Sequence, residues 1–188
     1  MFKAFLTALI MIFLTCYPLI VYIGLTRFNS YLLTVILLTL LIIRLWLSKP
    51  LLAKMPWIKP ASLLGILAIG LSKTIGSDFG IRLYPVIVNT VMFFVFAFSL
   101  YKGPSIIETF ARITEPKLDK RAISYTKNVT KIWCVFFVFN ASIALYTSVF
   151  TSLDVWAFYN GFIAYIIMGV LFAVEWLVRK KVKRNAGV

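Results

Sequence analysis

The sequence predicts an all-α polytopic membrane protein with six transmembrane helices and both termini cytoplasmic. Three observations carry this. Of its 188 residues, 62% are hydrophobic and only 14% charged, more apolar surface than a soluble domain of this length can hide. The apolar residues fall in runs that approach or exceed the ~18 that read as membrane-crossing helices. The basic residues gather in alternate connections between those runs, as the positive-inside bias requires. The chain is therefore one membrane domain, with a single long cytoplasmic connection over residues 101–131.

The first span is Ala4–Gly24, following Lys3. It is longer than the ~7–15 apolar residues of a secretory signal, lacks an A-x-A site, and has Thr15, a poor residue to precede a lipoprotein Cys16. It is expected to be retained, with a kink at Pro18. The second span is Tyr31–Leu47 and the third Lys59–Thr74. The third is the shortest: its clean apolar core, Ala61–Leu71, makes only about 16 Å of helix against about 30 Å of hydrocarbon, a length that would also fit a re-entrant segment. The fourth is Ile81–Leu100, the fifth Ile132–Phe150 and the sixth Val155–Val178. Pro60 and Pro85 each fall in a first turn, where a missing N–H costs least.

Charge decides the third span. With six crossings, 16 of the 20 Lys and Arg residues lie inside: Lys3, Lys49, Lys54, Lys59, seven between Lys102 and Lys131, and Arg179, Lys180, Lys181, Lys183 and Arg184. Only Arg27, Lys73 and Arg82 lie outside, and Arg44 is embedded. Without the third crossing the seven-charge connection would face outward, against the bias. The same allocation accounts for the net charge of +14 without nucleic acid. Its natural counterpart is anionic lipid of the inner leaflet, at about 1 kcal/mol per basic residue near the surface.

The connection GPSIIETFARITEPKLDKRAISYTKNVTK, residues 103–131, is the largest non-membrane piece. Ser105 and Glu108 form an S-x-x-E capping box, so a helix should begin there. Ile106, Ile107, Phe110 and Ile113 share one face, Glu108 reaches Arg112 at i, i+4, and Glu115-Pro116 stops the helix. An amphipathic segment of this kind lies in the membrane interface. A second helix from Asp119 is expected to run into the fifth span. Arg112, Lys120, Arg121, Lys127 and Lys131 make this connection either a docking surface for anionic lipid or an acidic partner, or an ordinary basic collar.

There is no histidine, Cys cluster, Gly-rich phosphate loop or carboxylate pair at a catalytic spacing, so the residues indicate no metal, no cofactor and no catalytic constellation. Cys16 and Cys134 differ in depth by about 15 Å and cannot bridge. Three asparagines lie inside spans. Asn89 and Asn140 are both near mid-membrane on adjacent antiparallel helices, where they serve either as interhelical glue or as a substrate contact; Asn160 lies in the outer third of the sixth span. Ala157, Gly161, Gly169 and Ala173 permit close helix approach. Glu175 is the one carboxylate in the last apolar run. Arg179 follows it at i+4 and Arg44 lies at a similar depth, so it is expected to be a structural partner of one of them rather than a proton-relay or substrate group.

The blocks SDFGIRLYPVIVN, GPSIIETFARITEP, YTKNVTKIWCVFFVFN and VWAFYNGFIAYIIMGVLFAVEWLVRKK resemble a family of bacterial six-helix inner-membrane proteins encoded beside aryl-polyene and fatty-acid-like biosynthesis genes. The resemblance covers roughly residues 60–184; the first two spans match only in hydropathy. More distantly, the layout and the W-x-x-FF-x-x-N-like block are similar to the inner-membrane septation protein A family. Neither resemblance supplies a reaction or a catalytic residue. What it implies is a bacterial inner-membrane location and a neighbourhood of envelope or polyene-lipid synthesis. The expected function is that of a non-enzymatic accessory protein that binds lipid-linked acyl intermediates or holds acidic acyl-carrier proteins and acyl-transfer enzymes at the membrane. A small transporter or flippase using the Asn89, Asn140 and Asn160 region is the alternative; a lipid-modifying enzyme is disfavoured by the missing acid–base groups.

Overall fold

The computed structural model describes residues 17–27, 30–47, 58–74 and 79–185. These are helical almost throughout, with no strand among them. In chain order the helices are α1 (Tyr17–Arg27), α2 (Ser30–Leu47), α3 (Ile58–Thr74), the one-turn α4 (Phe79–Arg82), α5 (Tyr84–Lys102), α6 (Ile106–Thr114), α7 (Lys120–Phe150), α8 (Leu153–Phe158), a π turn (Tyr159–Ile163) and α9 (Ala164–Asn185). The sequence motifs account for the boundaries in the second half. Ser105 Oγ accepts from the Glu108 N–H at 3.3 Å to start α6, and the helix ends at Thr114, before Glu115-Pro116. Asp119 Oδ1 accepts from the Ala122 N–H at 2.7 Å, and α7 then runs on without a break to Phe150. Gly103 closes α5 at φ +43°, a left-handed conformation that an L side chain resists.

Three stretches are long and apolar enough to cross a membrane: Tyr84–Lys102, Lys120–Phe150 and Leu153–Val182. Two shorter apolar helices are Tyr31–Ile43 and Ser62–Leu71. The described part of the first span begins at Tyr17, so the expected bend at Pro18, like Cys16, lies at or outside the edge of the described residues; the side chain of Arg44 also lies outside them. At 31 residues α7 is about 46 Å long. That exceeds the hydrocarbon thickness by about 16 Å, so roughly eleven residues must project beyond it.

Two features depart from the sequence expectation. The fourth span is not one helix from Ile81: a short α4 ends at Arg82, Leu83 intervenes, and α5 starts at Tyr84 with Pro85 in its first turn. Small residues in the last span also behave unequally. Ala157 is buried and Gly161 meets Pro18 and Leu19 of α1, but Gly169 has no neighbour and Ala173 is exposed. Of these small residues only those at the α8 end are closely packed; α9 meets the bundle instead through Ile167, Met168 and Leu171 against the α5–α7 cluster and through Phe172 against Trp133.

The packing forms two apolar clusters. Tyr17, Val21, Leu37, Leu41, Ile69, Ile81, Tyr84 and Trp156 join α1–α5 to α8; Gly65 is part of this fit, because a Cβ there would meet the Tyr84 ring at 2.9 Å. Phe96, Val129, Trp133, Cys134, Phe136 and Phe137 join α5 to α7, with Ile106 and Ile107 of α6 laid against them. The large apolar residues left exposed, among them Phe94, Val135, Phe139 and Val170, form a surface suited to lipid.

Candidate functional site: a polar-rimmed cleft beneath the amphipathic helix

The asparagines come first, because the alternative function rests on them. Asn140 Nδ2 donates to Asn89 Oδ1 at 3.0 Å, and Tyr159 OH donates to Asn140 Oδ1 at 2.8 Å. Asn89 Nδ2 turns back to the Pro85 carbonyl at 2.8 Å. Asn160 does not join this group; its Nδ2 donates to Thr147 Oγ1 at 3.2 Å and to the Trp156 carbonyl at 2.9 Å. All three asparagines are buried. The π turn makes the double reach possible: the Ala164 N–H bonds back five residues to Tyr159, the widened turn lets adjacent Tyr159 and Asn160 both address α7. These amides are spent on holding helices together.

Arg82, read from sequence only as an outside charge at the start of the fourth span, ties down the far end. Its Nη2 donates to the Thr147 and Thr151 carbonyls, both at 2.8 Å, at the C-terminus of α7, where a cation complements the helix dipole. Its own carbonyl accepts from Ser148 Oγ at 2.9 Å and Trp156 Nε1 at 3.1 Å.

At the opposite end lies a cavity of about 370 Å³ between α6, α7 and α9. Ile107, Phe110 and Ala111 form the α6 wall, and Ala122, Val129 and Trp133 part of the α7 wall. Phe172 and Trp133 close it at one end, their rings 4.7 Å apart. Its polar groups are few: Tyr125, Thr126, Glu115, Glu175 and Arg179. Tyr125 OH donates to the Glu175 carbonyl at 3.2 Å and its carboxylate at 3.3 Å. Glu175 stands 3.6 Å from Arg179 Nε, too long for a hydrogen bond and close enough for ionic attraction. Tyr125 lies on the polar extension of α7, before the apolar stretch begins at Ile132. Burial first, and the neighbouring carboxylate second, push its phenol up to about 12, so it keeps its proton and remains a donor near neutral pH.

Sequence reasoning paired Glu175 with Arg179 or Arg44, of which the Arg44 side chain lies outside the described residues, but missed Tyr125. A lone tyrosine in a basic collar gives no signal; only the approach of α9 to α7, 50 residues later, gives it a role.

The basic residues of the connection divide. Arg112 is engaged within the protein, its Nε and Nη2 donating to Glu108 Oε1 at 3.0 and 2.7 Å and its Nη1 to the Pro116 carbonyl at 3.1 Å. Lys120, Arg121, Lys127 and Lys131 are exposed and make no hydrogen bond or ion pair among the described residues. At 100° per residue, Lys120, Lys127 and Lys131 fall within about 40° of one another on α7. Exposed Val135, Val138, Leu145 and Val149 continue that face along the helix. The cavity-lining residues Tyr125, Thr126, Val129 and Trp133 occupy the opposite face. Among the described residues no group of His, Cys, Asp and Glu could hold a metal ion.

Comparison of the chain with family models, with curated proteins and with solved structures finds no match.

Proposed function

We propose that this is a non-enzymatic accessory protein of a bacterial inner membrane, crossing it six times with both termini cytoplasmic, that engages lipids during envelope lipid or polyene-lipid synthesis. The observation that carries the lipid reading is the change of character along one exposed face of α7. That face is basic at Lys120, Lys127 and Lys131 and apolar from Val135 to Val149 but for Ser142, whose hydroxyl turns back to the Val138 carbonyl at 2.9 Å. A lipid-facing helix surface changes in this way where it leaves hydrocarbon for the headgroup layer, with lysine stems following the boundary. The length of α7 agrees, because about eleven of its residues must project beyond the hydrocarbon.

Position then favours lipid over protein as the partner of the basic residues. A stripe continuous with the lipid-facing surface faces anionic headgroups, whereas an acidic acyl-carrier protein or acyl-transfer enzyme would need a surface projecting clear of them. The exposed apolar residues of α6, Phe110 and Ile113, suit the same interface. The transporter alternative draws no support from the asparagines, whose side chains are occupied by one another, by Tyr159 and Thr147 and by backbone.

The test is anionic-lipid retention. Replacing Lys120, Lys127 and Lys131 together with Gln should reduce the anionic phospholipid that copurifies with the protein, by up to about 3 kcal/mol in affinity at low salt, with the difference shrinking as salt rises. Unchanged retention would reduce the stripe to a topology signal.

A further inference from the structure

The cleft between α6, α7 and α9 lies on the side of α7 opposite the basic stripe, so the stripe's role does not explain it. We propose that it is a binding site for a single hydrocarbon chain whose zwitterionic head, an ammonium with a phosphate, rests on Tyr125, Glu175 and Arg179. The proposal rests on the membrane reading above for its depth: the α7 lining runs from Ala122 to Trp133, from the level of the lysines up to the level where the opposite face turns apolar.

Three features support it. The first is size, since about 370 Å³ lies at the low end of the roughly 300–1,000 Å³ of small-molecule sites, suited to one chain more than to two. The second is the division of polarity. The Trp133–Phe172 end is aromatic and α6 adds Ile107, Phe110 and Ala111, while hydrogen-bonding groups gather around Tyr125 and Glu175. An amphiphile has that same division. The third is charge. The Glu175 carboxylate and the Arg179 guanidinium line the cleft together, Arg179 half exposed and, among the described residues, held by the 3.6 Å ion pair to Glu175. A purely anionic head would meet the Glu175 carboxylate. A head carrying both signs can place its phosphate toward Arg179 and its ammonium toward Glu175. The exposed apolar residues of α9 next to those lining the cleft, Val174, Leu177 and Val178, give the chain a lipid-facing approach.

The test uses the full-length protein in vesicles with a photoactivatable diazirine on the chain of lysophosphatidylethanolamine. Labelling of the unmodified protein should map to peptides containing residues 107–133 and 172–182, and unlabelled lysophosphatidylethanolamine should compete better than lysophosphatidylglycerol of the same chain length. Ala111→Trp, which projects into the cleft, should abolish labelling there. Arg179→Gln should weaken it about tenfold, as expected for loss of one charge-assisted contact. The Lys120, Lys127 and Lys131 triple variant should label normally, which separates this site from the stripe. Labels spread over the exposed apolar faces of α5, α7 and α9 would overturn the cleft as a site, and equal competition by the anionic lipid would overturn the head assignment. Both results come from the unmodified protein, so they stand even if Ala111→Trp fails to fold. Should the cleft fail while stripe neutralisation still strips anionic lipid, only this inference falls.

Discussion

Asn140 shows how a polar residue can be placed in a membrane helix without making a site. It donates to Asn89 and accepts from Tyr159, so its amide oxygen and one N–H are used where no water competes. Replacing Asn140 with Leu should lower thermal stability in detergent by about 0.6–2 kcal/mol, the range measured for interhelical hydrogen bonds. Tyr159→Phe should do less, because it removes one bond and leaves the Asn pair. Envelope-lipid output at permissive temperature should be unaffected; its loss from a stable, inserted Asn140→Leu protein would reinstate a substrate role. That Asn89 and Asn140 lie level with each other was legible from sequence, since counting residues along two antiparallel apolar runs brings them together, and they meet at 3.0 Å. Arg82 was not legible, because its partners are carbonyls of residues 147 and 151, and backbone acceptors carry no sequence mark. The same blindness hid Tyr125.

Among the elements, α6 was the most legible. Its start is written in Ser105 and Glu108 and its end in Glu115-Pro116, all local chemistry that does not depend on the rest of the fold. Ser105 is buried, and besides capping Glu108 it receives Thr109 Oγ1 on its carbonyl at 3.1 Å. Ser105→Ala should therefore cost about 0.5–2 kcal/mol of local stability. Limited proteolysis should cut between residues 103 and 119 faster in this variant, with the transmembrane fragments intact; an unchanged rate would mean that the contacts of Ile106 and Ile107, rather than the cap, hold the helix. The break at Leu83 and the π turn at Tyr159–Ile163 were not legible. Hydropathy reads through both, because neither changes the apolar content of its span. Each is set by tertiary demands: the Arg82 carbonyl accepting from Ser148 and Trp156, and Tyr159 and Asn160 both reaching α7.

For the molecule as a whole, length and charge bear on the topology from different directions. Length and apolar character single out three spans in the second half, Tyr84–Lys102, Lys120–Phe150 and Leu153–Val182. The helix α3 is 17 residues, about 25 Å, slightly less than the hydrocarbon thickness, and can cross only with local thinning of the bilayer or with its flanking residues snorkelling. In the proposed topology, charge requires that crossing. If α3 turned back without crossing, Lys120, Lys127 and Lys131 would lie on the outer surface and lose the anionic inner leaflet that their position on α7 suits. The packing of α3 against α2 and α5, with Ile69 and Leu41 buried in one cluster with Tyr84, makes it a full member of the bundle, and a helix so packed has neighbours to satisfy what the bilayer does not. Both considerations support the six crossings proposed above. A periplasmically active phosphatase fused after Asp78 should be active and one fused after Lys117 silent. Activity after Lys117 instead, with silence after Asp78, would make α3 re-entrant, put the basic stripe outside and remove the premise on which the lipid reading stands.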